Sequence, residues 1–299
     1  MKLKLLIIFT SILTYSFAQK KIVFDRLQAI ENNDLTFYDI EGIRITKQNF
    51  NYSFDKRGLR KAYRKYRIKR KEVKTKDSLL PYKHVLVTTK TKINEEYNQY
   101  SAIYFIENPK KGISVIYFNS YKKDRILERE FINLALHNKI PKRCFAEPKI
   151  TMIDFVGRFI KLGSSCNWMD INNVQCPGYG QMNWSVHENL KSAQQALHYQ
   201  LTITKLKSDI RLKSEEQVSI EFEGVTTKAT KIEYVTKGGT SFLISLSGAK
   251  TLNVYYVACK VRNHYVSCVL SFWNNDAIRK SGLPPLLEEV MKIKTSTNK

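Results

Sequence analysis

Four side chains with the chemistry to ligate a metal or attack a substrate lie within one stretch: Cys166, Cys176, His187 and His198. A zinc site is the first reading to check. The two histidines are 11 residues apart, and on one helix that spacing covers roughly 16 Å. A single tetrahedral ion with ligand bonds of about 2.0–2.3 Å cannot hold both. Neither Cys-x-x-Cys nor His-Glu-x-x-His occurs, so no metal site is expected. A thiol nucleophile needs an accessible cysteine of low pKa beside an imidazole, and Cys166 with His187 is the pairing on offer. The plainer reading makes Cys166 half of a disulfide and His187 a residue at a helix start. Gly-x-Ser-x-Gly, a phosphate-binding loop and a dinucleotide fingerprint are all missing, so no cofactor is expected. The carboxylate pairs Glu95/Glu96, Glu215/Glu216 and Glu288/Glu289 are sequence neighbours and point to different faces of any regular element. No catalytic residue is assigned.

The cysteines fit structural roles better. Cys259 and Cys268 flank a hairpin, and a two-residue turn at Asn263-His264 would set them directly opposite each other, within reach of a cross-strand bridge. That register puts Val257, Cys259, Val261, Val266, Cys268, Leu270 and Phe272 on one core-like face. Two buried free thiols are the competing reading, and a redox switch a further one. Cys166 and Cys176 enclose a second expected bridge, which would pin a loop presenting Trp168, Tyr179 and Trp184 as candidate surface aromatics. Cys144 is then the odd thiol, with its bridge to either loop cysteine left open because connectivity is not readable from spacing.

Charge is concentrated in one segment. Between Lys56 and Lys76 there are twelve basic residues against a single acid, Glu72. Leu59, Ala62, Tyr63, Tyr66 and Val73 recur at helical spacing, predicting a helix over 57–73 that docks one apolar stripe on a sheet. Arg57, Arg60, Lys61, Arg64, Lys65, Arg67, Lys69, Arg70 and Lys71 would then form a dense positive surface. Such a surface suits phosphate-bearing partners such as lipopolysaccharide, anionic lipid or an acidic polymer. A solvated basic face without a dedicated ligand is the alternative. Tyr63 and Tyr66 are expected in the core rather than stacked on bases.

The elements that must carry these residues read as strands interrupted by a few helices. Alternation predicts strands over 35–45, 84–91, 100–107, 113–119, 155–162, 218–222, 228–234, 242–246, 252–261 and 265–273, with Gly238-Gly239 and Gly248 as turns. Helices are predicted over 124–138, 187–205 and 284–292 besides the basic one, and a loop over 163–180. The expected class is α+β, with two lobes of antiparallel sheet and packed helices, over 19–145 and 146–299. The two halves suggest a tandem repeat of one strand-helix-strands-helix module.

The chain of 299 residues carries +23, with 43% hydrophobic residues. This composition fits a globular protein and excludes an acidic disordered coat. Its first 18 residues hold Lys2 and Lys4, an apolar run over 5–13, and Ser16-Phe17-Ala18, so cleavage before Gln19 is expected. This leader resembles those of exported proteins of Gram-negative bacteria, which implies a periplasmic or secreted chain. No later run reaches the ~18 apolar residues of a membrane span. The resulting expectation is a non-enzymatic binding or accessory component of the cell envelope, with a protein partner also open. The runner-up is a secreted hydrolase with its site around the Cys166–Cys176 loop.

Overall fold

The structure, a computed structural model, describes residues 22–237 and 248–294. The leader, the Gly238-Gly239 turn and the strand expected over 242–246 lie outside the described residues. Strand accounts for 47% of the structure and helix for 18%, which corrects the α+β expectation to a β-rich fold.

The first sheet contains β1 (Leu27–Asn32), β2 (Leu35–Ile40), β3 (Ile43–Phe50), β4 (Lys74–Thr75), β5 (His84–Lys92), β6 (Asn98–Glu107), β7 (Ile113–Ser120) and β8 (Phe145–Ala146). Their spatial order is β4-β5-β6-β7-β3-β2-β1-β8. Helix α1 (Lys56–Lys65) follows β3, and α2 (Arg125–Leu136) follows β7. A separate hairpin joins β9 (Met152–Phe155) to β10 (Arg158–Lys161). The second sheet contains β11 (Asn167–Asp170), β12 (Asn173–Cys176), β13 (Gly180–His187), β14 (Ile210–Phe222), β15 (Val225–Thr236), β16 (Thr251–Val261), β17 (His264–Trp273) and β18 (Met291–Ile293). Here the order is β11-β12-β13-β17-β16-β15-β14-β18. Helix α3 (Leu190–Lys205) follows β13, and the single turn α4 (Pro285–Glu288) precedes β18.

The two sheets share one connectivity. Three meandering strands lead to a helix, and four more strands follow, the last of which pairs with the strand before that helix: β7 on β3, β17 on β13. They differ at the end, where β8 joins β1 in parallel and β18 joins β14 antiparallel. In both units strands outweigh helices, although each runs strands, helix, strands, helix, closed by α2 in the first and by the single turn α4 in the second.

Several segments without an apolar run are strands all the same. β14 begins eight residues before the predicted strand, and its exposed half is held on β15 by cross-strand ion pairs such as Lys231–Glu216 at 2.9 Å. The loop expected over 163–180 is largely the β11–β12–β13 meander. The strand expected over 155–162 is split by the turn Val156-Gly157, both at positive φ, into a hairpin.

Alternation in the first sheet sorts its side chains onto two covered faces. Val87, Phe105, Ile113 and Val115 pack beneath α1, while Tyr104, Ile106, Ile116 and Phe118 pack with Leu127, Phe131 and Ile132 of α2. In the second sheet Met182, Trp184 and Val186 of β13 enter the main core, and the opposite face carries α3 through Leu197 and Leu201.

The basic helix is shorter than predicted. Asp55 caps its start, accepting from the backbone N–H groups of Arg57 (2.8 Å) and Gly58 (2.7 Å). Gly58 is required there because a Cβ would lie 1.9 Å from the Ser53 carbonyl oxygen. At the other end Arg67 takes a left-handed φ of 54°. Ile68 N–H then bonds Tyr63 O and Arg67 N–H bonds Arg64 O, a Schellman closure in which Ile68 and Tyr63 join the same apolar cluster. The helix stops at Lys65, and Val73, expected on its apolar stripe, is 74% exposed.

The Cys259–Cys268 bridge is not formed, and both thiols are free and buried. Val261 pairs with His264, so the turn is Arg262-Asn263 and the register slides by two residues from the one expected. Cys259 now faces Val266 and Cys268 faces Val257. An even slide keeps every side chain on its face, and all seven residues of the expected core face are buried. The turn is held in place by Arg262, at φ 51°. Its guanidinium donates to Glu223 Oε2 (2.7 Å) and to the carbonyls of Phe155 and Val156.

Candidate functional site: a basic face on the first sheet

The side of α1 that faces the sheet is apolar, with Ala62 fully buried and Leu59, Tyr63 and Tyr66 partly so. Tyr63 meets Phe105 edge-on at 4.7 Å, and the Tyr66 hydroxyl donates to Gln48 Oε1 at 3.3 Å. These tyrosines are anchors for the helix, and desolvation pushes the Tyr66 phenol up to about 12.

Every basic residue from Lys56 to Lys76 is exposed. Arg57, Arg60, Lys61, Arg64 and Lys65 stand on the helix, whereas Arg67, Lys69, Arg70 and Lys71 lie on the turns beyond it. Among the described residues none of the twelve makes an ion pair with a carboxylate. Lys74 Nζ instead caps the carbonyls of Lys69, Arg70 and Glu72, and Lys61 and Lys74 lie 5.3 and 5.7 Å from the ring centroids of Tyr52 and Tyr63. The Asp55 carboxyl just before the segment is spent on the helix N-terminus, and the Gly58 N–H holds it below the usual carboxylate range. The outcome is a dense block of positive charge on a helix fixed at both ends.

The sulfur and aromatic candidates fall elsewhere. Cys166 and Cys176 are joined by a disulfide that staples β12 to the approach of β11. A disulfide of this kind suggests an oxidising compartment. Tyr179 is 44% exposed, but Trp184 is 1% exposed and belongs to the core, a correction to its expected surface place. Trp168 is half-buried over Trp184, and its indole N–H donates to Glu147 O at 3.0 Å. Trp184 is buried because alternation along β13 puts it on the face of Met182 and Val186.

Bound as a disulfide, Cys166 has no thiolate to offer, and His187 is not its base. His187 ends β13 instead of starting a helix, and α3 begins after the Asn189 cap, whose side chain accepts from Ser192 N–H. The imidazole is 2% exposed and shares a 2.8 Å hydrogen bond with Ser267. Burial, with Lys122 and Arg26 nearby, pulls its pKa down to about 3. His198 stands on the exposed side of α3, 3.4 Å from Glu96. Burial pushes the Cys259 thiol up to about 11 and the Cys268 thiol well above its ordinary value, so neither is a nucleophile near neutral pH. No three His, Cys, Asp or Glu side chains of the described residues come together as a metal site.

His187 belongs to a polar seam between the sheets that sequence reasoning missed. The β2–β3 turn, Glu41-Gly42, presses on β13 and α3, where a Cβ on Gly42 would lie 3.7 Å from Ala196 and 3.9 Å from His187. Glu41 is buried against Arg26 at 3.0 Å, with Lys122 at 3.5 Å. Asp39 is buried beside Ser185, and desolvation pushes its carboxyl up to about 7 against that hydroxyl and Arg44. The legible signal was the second face of β13, the alternating polar series Gln181, Asn183, Ser185 and His187.

No family model and no curated protein match the chain. Among solved structures, the di-domain ARO/CYC StfQ from the steffimycin biosynthetic pathway is 11% identical over 88% of this chain and 77% of its own, with a TM-score of 0.16. DynU16, from the dynemicin biosynthetic locus, is 6% identical over 85% of this chain and 78% of its own, with a TM-score of 0.17. Scores so low carry no argument about fold or activity.

Proposed function

We infer that the protein is an exported, non-enzymatic binding or accessory component of the bacterial cell envelope, periplasmic or secreted, which contacts anionic surfaces or polymers through α1 and the turns that follow it. The observation that supports this most is the block of twelve exposed basic side chains without a carboxylate partner among the described residues. Charges left unpaired on a rigid helix keep their full field for a ligand, and arginine forks suit phosphate oxygens geometrically. In the envelope the phosphates of lipopolysaccharide and anionic lipid present such oxygens in dense arrays. The leader over 1–18 supports delivery to that compartment. The hydrolase reading gains nothing from the site, since Cys166 is disulfide-bonded and His187 is buried.

The test is co-sedimentation of the mature protein with phosphatidylglycerol vesicles, phosphatidylcholine vesicles and lipopolysaccharide at 50 and 300 mM NaCl. Binding to the anionic particles alone, falling steeply with salt and lost in the Arg60→Glu, Lys61→Glu, Arg64→Glu, Lys65→Glu variant, is expected. Unchanged binding by that folded variant at low salt would end the proposal.

A further inference from the structure

A groove of about 410 Å³ runs between α3, the β12–β13–β17–β16 part of the second sheet and the near ends of β3, β6 and β7 of the first. The side chains that meet in it share an unusual chemistry. Six are amides, and they form three pairs: Gln99 Nε2 donates to Asn119 Oδ1 (2.8 Å), Gln181 Nε2 to Asn173 Oδ1 (2.7 Å), and Gln200 Nε2 to Asn183 Oδ1 (3.5 Å). Strand register brings them together. Asn173 pairs with Asn183, Asn183 with Val269 and Val269 with Tyr256, so one row crosses four strands, while Arg44 pairs with Asn119 on the other sheet.

The groove is nearly neutral in its hydrogen bonding. No carboxylate of the described residues lines it, and Arg44, one of its two cations, is engaged by Asp170 at 2.8 Å. Each amide pair uses one N–H and one lone pair, leaving donors and acceptors side by side on every member. That pattern matches hydroxyl groups, which donate and accept from one atom, and it gives an anion little to hold. Tyr199 of α3 stands in the wall, packed on Tyr121 at 5.2 Å and Tyr97 at 5.4 Å, and Ile203 and Val269 add apolar surface for C–H faces.

We propose that this groove binds a neutral saccharide chain, its hydroxyls bridged by the paired amides and its rings packed along Tyr199. The volume is within the ~300–1,000 Å³ of small-ligand sites and holds about two hexose rings. A peptide is the less suited occupant. The strands beneath the groove are all interior to their sheets, so no open edge offers backbone hydrogen bonds. This proposal is independent of the basic face.

The test is titration calorimetry with maltohexaose, cellohexaose and chitohexaose, each to 5 mM, in 300 mM NaCl, which screens the basic helix. At least one sugar is expected to bind. The Gln200→Ala variant, altered at a half-buried residue of α3, and the Asn183→Ala variant should each weaken that binding tenfold or more, while the Arg60→Glu, Lys61→Glu, Arg64→Glu, Lys65→Glu variant leaves it unchanged. Thermal melts identify any variant that does not fold, and Gln200→Ala alone then decides the matter. Absence of binding by all three sugars, binding that survives Gln200→Ala, or tighter capture of an unrelated neutral peptide at the same residues overturns the proposal.

Discussion

Replacing Asp39 by Asn should stabilise the protein at pH 8 and leave it nearly unchanged at pH 4. Asp39 is buried in the seam beside Ser185, with the Gly42 N–H 3.4 Å from Oδ1, and its pKa rises from 3.8 to about 7 mainly through desolvation. Between those values the folded chain keeps a proton that the unfolded chain has released. Stability from this group is therefore complete below about pH 4 and falls as pH climbs toward 7. Three units at 1.36 kcal/mol each amount to about 4 kcal/mol, and losing part of the Ser185 hydrogen bond in the amide returns about 1 kcal/mol. A net gain of about 3 kcal/mol at pH 8 is expected. His187 works in the opposite sense. Its pKa drops from 6.5 to about 3, so the folded chain refuses a proton that the unfolded chain binds, and stability is lost as pH falls through that window. In the native chain the two slopes oppose one another from about pH 4 to 6.5. In Asp39→Asn the His187 slope stands alone, and stability should climb with pH to about 6.5 and then level. Urea unfolding followed by tryptophan fluorescence at pH 4.5, 6 and 8 and constant ionic strength measures this directly, provided m is unchanged. A gain equal at every pH, or a loss at pH 8, would refute the desolvation argument.

The remaining expectations concern the second sheet. Glu223 is buried between Arg158 (2.5 Å) and Arg262 (2.7 Å) and unites the β9–β10, β14–β15 and β16–β17 turns. Glu223→Gln leaves Arg262 without its counter-charge and Arg158 with only the more distant Glu289 at 3.8 Å, and should cost about 2 kcal/mol, the partial exposure of both arginines lowering the usual penalty; equal urea midpoints for variant and native chain would contradict it. Thiol titration with Ellman's reagent should find Cys144, Cys259 and Cys268 slow in the native chain and all three fast in guanidinium chloride, whereas fast native reaction of Cys259 would contradict its burial and raised pKa.

Local patterns in the sequence carried a good deal of this. The face shared by Val257, Cys259, Val261, Val266, Cys268, Leu270 and Phe272 was legible because side-chain direction along a strand has a period of two and needs no partner strand. The register was not, because a turn at Asn263-His264 and one at Arg262-Asn263 give the same faces. The choice between them goes with the reach of Arg262 to Glu223, 39 residues away. Likewise the segment over 57–73 has continuous helical spacing, yet the helix ends at Lys65, where the packing of Ile68 against Tyr63 favours a left-handed residue at Arg67. The excess of strand over helix was hidden for the same reason. Polar, charged segments such as the first half of β14 become strands when a neighbour offers a ladder and opposite charges, and neither is visible in a single run of residues.

By itself the sequence determined where the charge lies, which residues of each strand share a face, and that Cys166 and Cys176 were near enough to bridge. These depend on neighbours a few residues apart, joined by the geometry of one strand or one turn. Only the tertiary structure decided that Cys259 and Cys268 pass each other unbridged, that Trp184 is core, that Asp39 and His187 meet in a buried seam, and that six amides converge on one groove. Those outcomes follow from the pairing of strands and the meeting of the two sheets, contacts between residues tens to more than a hundred positions apart, for which local spacing holds no information.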